Sequence, residues 1–233
     1  MTQGVVWITR SRPGAERLAA HLEAAGYACL VAPVLEIVAV PLQEPLPGCI
    51  DVAVALSEHA VLHAPKDLWA RARQVIAVGA QTAKVLASQG VSASHPPLAS
   101  SEGLLAGPLR NIGSAGECVV LVSGRGGRTV LADGLRDAGA QVVSAAVYAR
   151  QPVTQVPAGL AAVRAIVVSS GDGFEAAGQL WCAAAGAPEV PVFAPSARVA
   201  AMAADIGFDN AWDCGGADPD SVRKALKIAL TTL

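Results

Sequence analysis

This sequence predicts an α/β protein built from two parallel-sheet units, and three observations predict it. Short apolar runs alternate with helical patterns along nearly the whole chain, the pattern of buried parallel strands joined by covering helices. Leu18, Leu22 and Gly26 recur as Leu131, Leu135 and Gly139, each 113 residues on, and the segment 52–56 recurs as 165–169 at the same spacing. An internal duplication is the simplest source of that spacing. Two proline-bearing breaks, residues 33–48 and 151–157, fall a similar distance from their repeats and mark two adjacent crossings between the units.

The elements follow in order. Residues 5–9 form an apolar strand, and Arg10-Ser11-Arg12-Pro13-Gly14 an arginine-rich turn. Leu18, Leu22 and Ala25 then recur at helical spacing up to a Gly26 cap, and residues 27–31 are a short strand. The break at 33–48 holds an extended Leu-Glu-Ile-Val-Ala-Val piece between prolines and reads as a linker able to form a strand of its own. Residues 52–56 are a strand, 57–64 a helix with Ser57 as N-cap, 75–78 a strand, 79–82 a turn, and 83–89 a helix ending at Gly90. Residues 101–109 are a short helix capped by Ser100 or Ser101. Residues 119–150 repeat the opening as strand, glycine–arginine turn, amphipathic helix to Gly139, and a strand leading to Tyr148, one of two tyrosines in the chain. Strands at 166–169, 190–194 and 211–213 then alternate with helices at 173–184, 196–205 and 221–230, with Gly207 as a cap and Asp218 or Asp220 near the last start.

One domain is therefore expected to be continuous, residues 38–149, and the other to combine 1–35 with 153–233, with linkers at about 33–48 and 149–157. Each fits a flavodoxin-like or Rossmann-like sheet; strand order is not readable from pattern alone. The chain of 233 residues, 53% apolar and 15% charged, can bury two real cores. A formal net charge of −2 means that any anionic partner must be held by local charge. This excludes nucleic acid as the main partner. Five cysteines, an odd number without a CxxC pair, argue for reduced thiols, several buried in strands, and against a disulfide frame or zinc site. The N-terminal segment carries no secretion signal and no apolar run approaches the roughly 20 residues that span a bilayer. A cytoplasmic location without membrane attachment is the expectation.

Ligands of such sheets sit beyond the carboxyl ends of the strands, where helix N-termini present free N–H groups. The loops there are 9–14, 56–61, 78–82, 123–128, 169–174 and 195–199, rich in glycine and hydroxyl residues and carrying arginines in three cases. Candidate binding residues are Thr9, Arg10, Arg12, Ser57, Gly79, Thr82, Gly124, Arg125, Gly127, Arg128, Ser169, Ser170 and Arg198. No nucleophile–base pair stands out, which suits anion recognition more than acid–base chemistry. Ser57 and Ser170 also read simply as helix caps. The Gly-Arg-Gly-Gly-Arg loop is no dinucleotide fingerprint, since Thr129 stands where the third glycine belongs, and no GK[ST] occurs. His59 and His63 lie four apart beside Glu58 but lack a third ligand in a metal signature, so no metal is expected.

The motifs taken together resemble the uroporphyrinogen-III synthase family. VWITRSRPGAERLAAHLEAAGY is similar to the family's opening strand and helix, ALSEHAV to its Phe-Thr-Ser-x-x-Ala-Val element, and VGAQTAKVLASQG to its Gly-x-x-Thr-Ala turn. The segment from Val119 resembles its Gly-x-x-Gly-Arg-x-x-Leu stretch ending in Val-Tyr-x-Arg. The resemblance implies two α/β domains joined by a two-stranded linker and a cofactor-free, monomeric lyase of tetrapyrrole synthesis. The implied substrate is hydroxymethylbilane, a carboxylate-rich linear tetrapyrrole. The implied reaction closes the ring with inversion of ring D and loss of water, through an azafulvene and a spiro intermediate in an interdomain cleft. It also gives Tyr148 the role of assisting departure of the hydroxyl. The chain departs from the pattern at Leu56, where threonine is usual, at Asp172, where serine is common, and at Ser196–Val199, which lacks the glycine and threonine of the second turn. Two other readings compete: a non-catalytic hinge-type binder of a small anion and a nucleotide-dependent transferase.

Overall fold

The computed structural model describes residues 4–126 and 129–231. The elements in chain order are β1 (Val5–Ile8), α1 (Gly14–Ala24), β2 (Ala28–Val31), β3 (Leu35–Ala39), β4 (Ile50–Ala55), α2 (Glu58–His63), β5 (Ala72–Ala77), α3 (Ala80–Ser88), α4 (Ser101–Ala106) and β6 (Cys118–Gly124). They continue as α5 (Val130–Asp137), β7 (Gln141–Pro152), β8 (Val163–Val167), α6 (Gly171–Ala183), β9 (Val192–Ala194), α7 (Ala197–Ala200), α8 (Ala203–Ile206), β10 (Ala211–Asp213) and α9 (Pro219–Thr231). The chain divides into two compact units, one formed by the segments up to Glu36 and from Gln151 onward, the other by Ile37–Arg150.

In the first unit the strands lie in the order β2-β1-β8-β9-β10, every adjacent pair parallel. Counted along the chain this is second, first, third, fourth, fifth, the flavodoxin-like order, whose winding reverses between the first and third strands. The second unit reads β3-β7-β6-β4-β5. With β6 counted as first and β7 as second, β4 and β5 become third and fourth and the same order returns. Ser94, in a parallel bridge to Ile76 on β5, takes the place of the fifth strand. The second unit is thus the same sheet with the chain opened at another point, plus β3 outside β7. This circular permutation accounts for the repeat: β6 is the counterpart of β1, and β4 of β8.

Both sheets are covered on both faces, and the strand residues alternate accordingly. Val6 and Ile8 pack with Leu18, Leu22 and Leu226, whereas Trp7 faces Phe174 and Trp181 on the other side. In the second unit Val52 and Val54 face Leu131 and Leu135, while Ala53 and Ala55 face Val61 and Leu86. Trp7 is fully buried, and its indole N–H donates to the carbonyl of Ala32 at 2.8 Å. Truncating so large a buried side chain typically costs about 3–5 kcal/mol. Helices α1 and α5 stop where their glycines allow a left-handed residue, Gly26 at φ +91° and Gly139 at φ +101°. Both crossings between the units are strands, since β3 and β7 run through the boundaries and neighbour one another in the sheet.

Two sequence expectations are corrected. The helix expected over 196–205 is two short ones, α7 and α8, because the Met202 amide bonds back three residues to Val199 and tightens the turn between them. The cysteines are all free, but none is fully buried: Cys29 and Cys118 are half-buried in strands, Cys214 is half-buried, and Cys49 and Cys182 are exposed. No helix among the described residues is long and apolar enough to cross a membrane.

Partial burial, aided by Glu23 at Cys29 and Asp213 at Cys214, pushes both thiols up to about 11. Cys49 and Cys182 should therefore react first with a thiol reagent at pH 8, and Cys29 and Cys214 slowly, as mass mapping of a labelling time course would read. Because the folded values are raised, these two groups favour the folded state fully below about pH 9. That contribution should fade as pH rises through about 11.

Candidate active site

A cleft of about 670 Å³ opens in the second unit at the carboxyl ends of β4, β6 and β7. It lies where β6 pairs with β4, the point of winding reversal at which sheets of this order place ligands. Leu56 and Ser57 enter it after β4, Ser123 to Gly126 from the end of β6 and the turn beyond it, Ser100 and Ser101 from the start of α4, Thr129 from the N-cap of α5 and Arg136 from α5 itself. Strand β7 contributes Ser144, Tyr148 and Arg150. Three arginines against one lining carboxylate, Glu102, make the cleft locally cationic in a chain of net charge −2.

A bulge decides where Tyr148 goes. The β6–β7 register steps from Ser123 opposite Ala146 to Gly124 opposite Tyr148, so one extra residue enters β7. Simple alternation would send Val147 and Tyr148 to opposite faces. With the bulge both join the core that includes Ala60 and Val61 of α2. The ring lies across Gly124, where an added Cβ would come within 2.6 Å of the ring carbons. His59 and His63 flank it with ring centroids 5.5 and 5.9 Å away. Tyr148 is 1% exposed.

The phenolic oxygen is held on two sides. Oη lies 3.1 Å from Ser57 Oγ, and it accepts an N–H from the Arg150 guanidinium at 3.1 Å. The guanidinium carbon also sits 5.4 Å from the ring centroid, within cation–π range. Ser57 is the N-cap of α2, and its Oγ accepts the Ala60 amide at 3.0 Å. The backbone ties the site further, since the Arg125 amide donates to the Tyr148 carbonyl at 2.7 Å.

Of the binding residues expected in this unit, Ser57, Gly124 and Arg125 line the cleft together with Tyr148. Gly79 is the N-cap of α3 and packs so closely on Ala99 that a Cβ would meet it at 2.7 Å. Thr82 is buried in the first turn of α3, 4% exposed. Neither is among the residues lining the cleft. Gly127 and Arg128 lie outside the described residues.

The other candidates stand at the carboxyl edge of the first unit's sheet. Thr9 is 1% exposed and its hydroxyl donates to the Val167 carbonyl at 2.9 Å, which ties β1 to β8. Arg10 donates to the Ala217 carbonyl at 3.2 Å, and Arg12 is ion-paired with Glu16. Ser170 caps α6 by accepting the Gly173 amide at 3.1 Å, with half-buried Ser169 before it. Arg198 is exposed on α7, and Asp172 is exposed in the first turn of α6. Among the described residues no three His, Cys, Asp or Glu side chains group closely enough to hold a metal ion.

Arg136, Arg150, Ser100, Ser101, Ser123 and Ser144 are cleft residues beyond the sequence expectation. Arg150 carried a signal, because residues two apart on a strand share a face and it follows Tyr148 by two.

This is a duplicated flavodoxin-like protein whose second unit carries an arginine-bearing, hydroxyl-lined cleft with a phenol pinned at its wall. The family model described as "Uroporphyrinogen-III synthase HemD" matches residues 16–221. Curated proteins named uroporphyrinogen-III synthase from Salmonella typhimurium and Escherichia coli K12 are each 29% identical to it, over 95% of this chain and 99% of theirs. A crystal structure of uroporphyrinogen-III synthetase from Helicobacter pylori superposes with a TM-score of 0.64 at 15% identity, covering 100% of both chains. A mutant uroporphyrinogen III synthase from Thermus thermophilus does so at 0.56 and 19%, covering 99% of this chain and 100% of its own. These two likenesses show a shared fold. The chain belongs to the uroporphyrinogen-III synthase family, cyclising lyases of porphyrin and haem biosynthesis.

Gly124→Ala tests the placement of the ring. The added methyl must push Tyr148 off Ser57, at a stability cost of about 1–3 kcal/mol. Turnover should fall with it, while a denaturant melt should still show a folded protein.

Proposed function

We propose that this chain converts hydroxymethylbilane to uroporphyrinogen III, with the second unit's cleft holding the reacting end of the substrate. The observation that carries the reading is the phenol of Tyr148, pinned at the wall of an arginine-bearing cleft in a chain of this family. A cleft poor in nucleophiles suits the chemistry, because the hydroxyl of the substrate's hydroxymethyl group departs readily and ring closure can proceed unaided to the uninverted isomer. Holding the chain ends in a near-attack arrangement is then the larger part of catalysis.

Tyr148 supplies the proton step as general acid. Its O–H proton passes to the leaving hydroxyl as the C–O bond breaks, so water leaves and the substrate becomes an azafulvenium cation. The phenolate oxygen stays beside Ser57 and Arg150. The substituted carbon of ring D attacks the cation to give the spiro intermediate. Fragmentation and reclosure at the other carbon follow, and the proton released when the last pyrrole regains aromaticity returns to Tyr148. Arg125 and Arg136, with Ser100, Ser101 and Ser123, receive substrate carboxylates through charge-assisted hydrogen bonds, while Ser57 and Arg150 hold the phenol. In the first unit, Arg10, Arg198, Ser169 and Ser170 are the positions proposed for further carboxylates.

The deciding experiment supplies hydroxymethylbilane and resolves the products chromatographically. Type III product formed faster than the spontaneous background is expected. Type I alone at the background rate would sink the reading, and saturable binding without turnover would favour the anion binder. Tyr148→Phe should lower kcat by about 10- to 100-fold, the low side of general-acid effects because the leaving group departs easily. Its melting temperature should change little.

A further inference from the structure

We propose that Arg150 is a positioning residue that acts through Tyr148, holding the phenolic proton toward the leaving group and balancing the charge left when it departs. The inference rests on the function proposed above, and the hydrogen-bond inventory of three side chains carries it. A phenol has one proton to give and accepts at its oxygen, and a serine hydroxyl likewise gives one and accepts at its own. Ser57 Oγ already accepts the Ala60 amide at 3.0 Å, and Tyr148 Oη already accepts from Arg150 at 3.1 Å. Two hydrogens remain, one on each oxygen, and either can fill the 3.1 Å contact between the two hydroxyls.

The guanidinium fixes the other side of the phenol oxygen. Arg150 has donors only and stays charged, so Oη always faces a donor on that side. If Ser57 also donates, Oη has two donors against it and its own proton is left for the cleft. Once that proton is given up, the same two donors face a full negative charge, and the bond from the cation becomes charge-assisted at both ends. The interaction is stronger after proton transfer than before it, which is the condition for lowering a barrier. The second contact of Arg150, with its guanidinium carbon 5.4 Å from the ring centroid, keeps an exposed side chain near this one oxygen.

A carboxylate-binding arginine would behave differently. It would act mainly on KM, and its loss would add to the loss of Tyr148. An arginine acting through the phenol affects kcat, and its loss costs nothing further once the phenol is gone.

The test measures type III product from hydroxymethylbilane with the intact protein, Arg150→Ala, Arg150→Gln, Tyr148→Phe and Arg150→Ala/Tyr148→Phe. The Arg150 variants should lose on the order of 10- to 100-fold in kcat with KM changed little, as expected for a hydrogen bond to a charged group. The double variant should be no slower than Tyr148→Phe alone. Millimolar guanidinium ion should partly restore Arg150→Ala and leave Tyr148→Phe unmoved. A rise in KM at constant kcat, a further loss in the double variant, or no rescue would overturn the proposal and leave the synthase reading intact. Should the unsubstituted protein yield only type I product at the background rate, the synthase reading fails and this proposal fails with it. Arg150→Gln keeps the comparison usable if Arg150→Ala folds poorly.

Discussion

The pairing of two parallel strands at the centre of each sheet, β1 with β8 and β4 with β6, is the constraint on which the rest of this protein depends. Both pairs are buried on both faces and both stand where the winding reverses, so their carboxyl ends form the natural mouth of each unit. The two units use that mouth differently. In the first, the Thr9 hydroxyl is spent on the Val167 carbonyl and reinforces the strand pair. Its counterpart in the repeat, Ser123, lines the cleft, and Tyr148 reaches across from a third strand to Ser57. A duplicated frame has kept its architecture while one copy turned its hydroxyls outward.

That difference rests on a single extra residue. The bulge at Gly124 redirects Tyr148 from the face that alternation would assign it, and the missing Cβ of Gly124 leaves room for the ring. Bulges commonly re-aim one side chain beside a site. Here the aimed group is a weak acid whose oxygen is held by the Ser57 hydroxyl and the Arg150 guanidinium. The arrangement matches a reaction in which a hydroxyl must take one proton as it leaves while a reactive, highly anionic substrate is kept in shape. Local arginines line this cleft although the chain as a whole carries a slight net negative charge.

Much of the frame was legible in the sequence. Periodicities of 3.6 and 2, glycine stops at Gly26 and Gly139, and serine caps at Ser57, Ser100 and Ser170 are local signals, and they located most elements. The 113-residue spacing revealed the duplication but not the circular permutation, because strand order is set by tertiary pairing that no window of sequence contains. The site was read less completely. Ser57, Gly124, Arg125 and Tyr148 sit on the strand-end loops where ligands were expected, whereas Thr9 turned to the sheet and Thr82 to the core. Both are threonines whose direction depends on a neighbouring strand or helix. Arg150 could have been found from strand period alone, but the bulge that makes its partner reachable could not.

The insertion of one unit within the other bears on how the chain assembles. The Thr9–Val167 bond of the first unit joins residues 158 apart, and most of that separation is the stretch Ile37–Arg150. This stretch has its own sheet and cores, and its two ends are neighbouring strands, β3 and β7, joined near the boundary by the Val40 amide and the Val147 carbonyl. Once it has folded, the free chain separating β1 from β8 shrinks to roughly 44 residues, which lowers the entropy of closing that pair by about 1 kcal/mol. The inner unit is the first to be complete along the chain, as one contiguous piece, and its folding shortens the free chain between the two remote segments of its host.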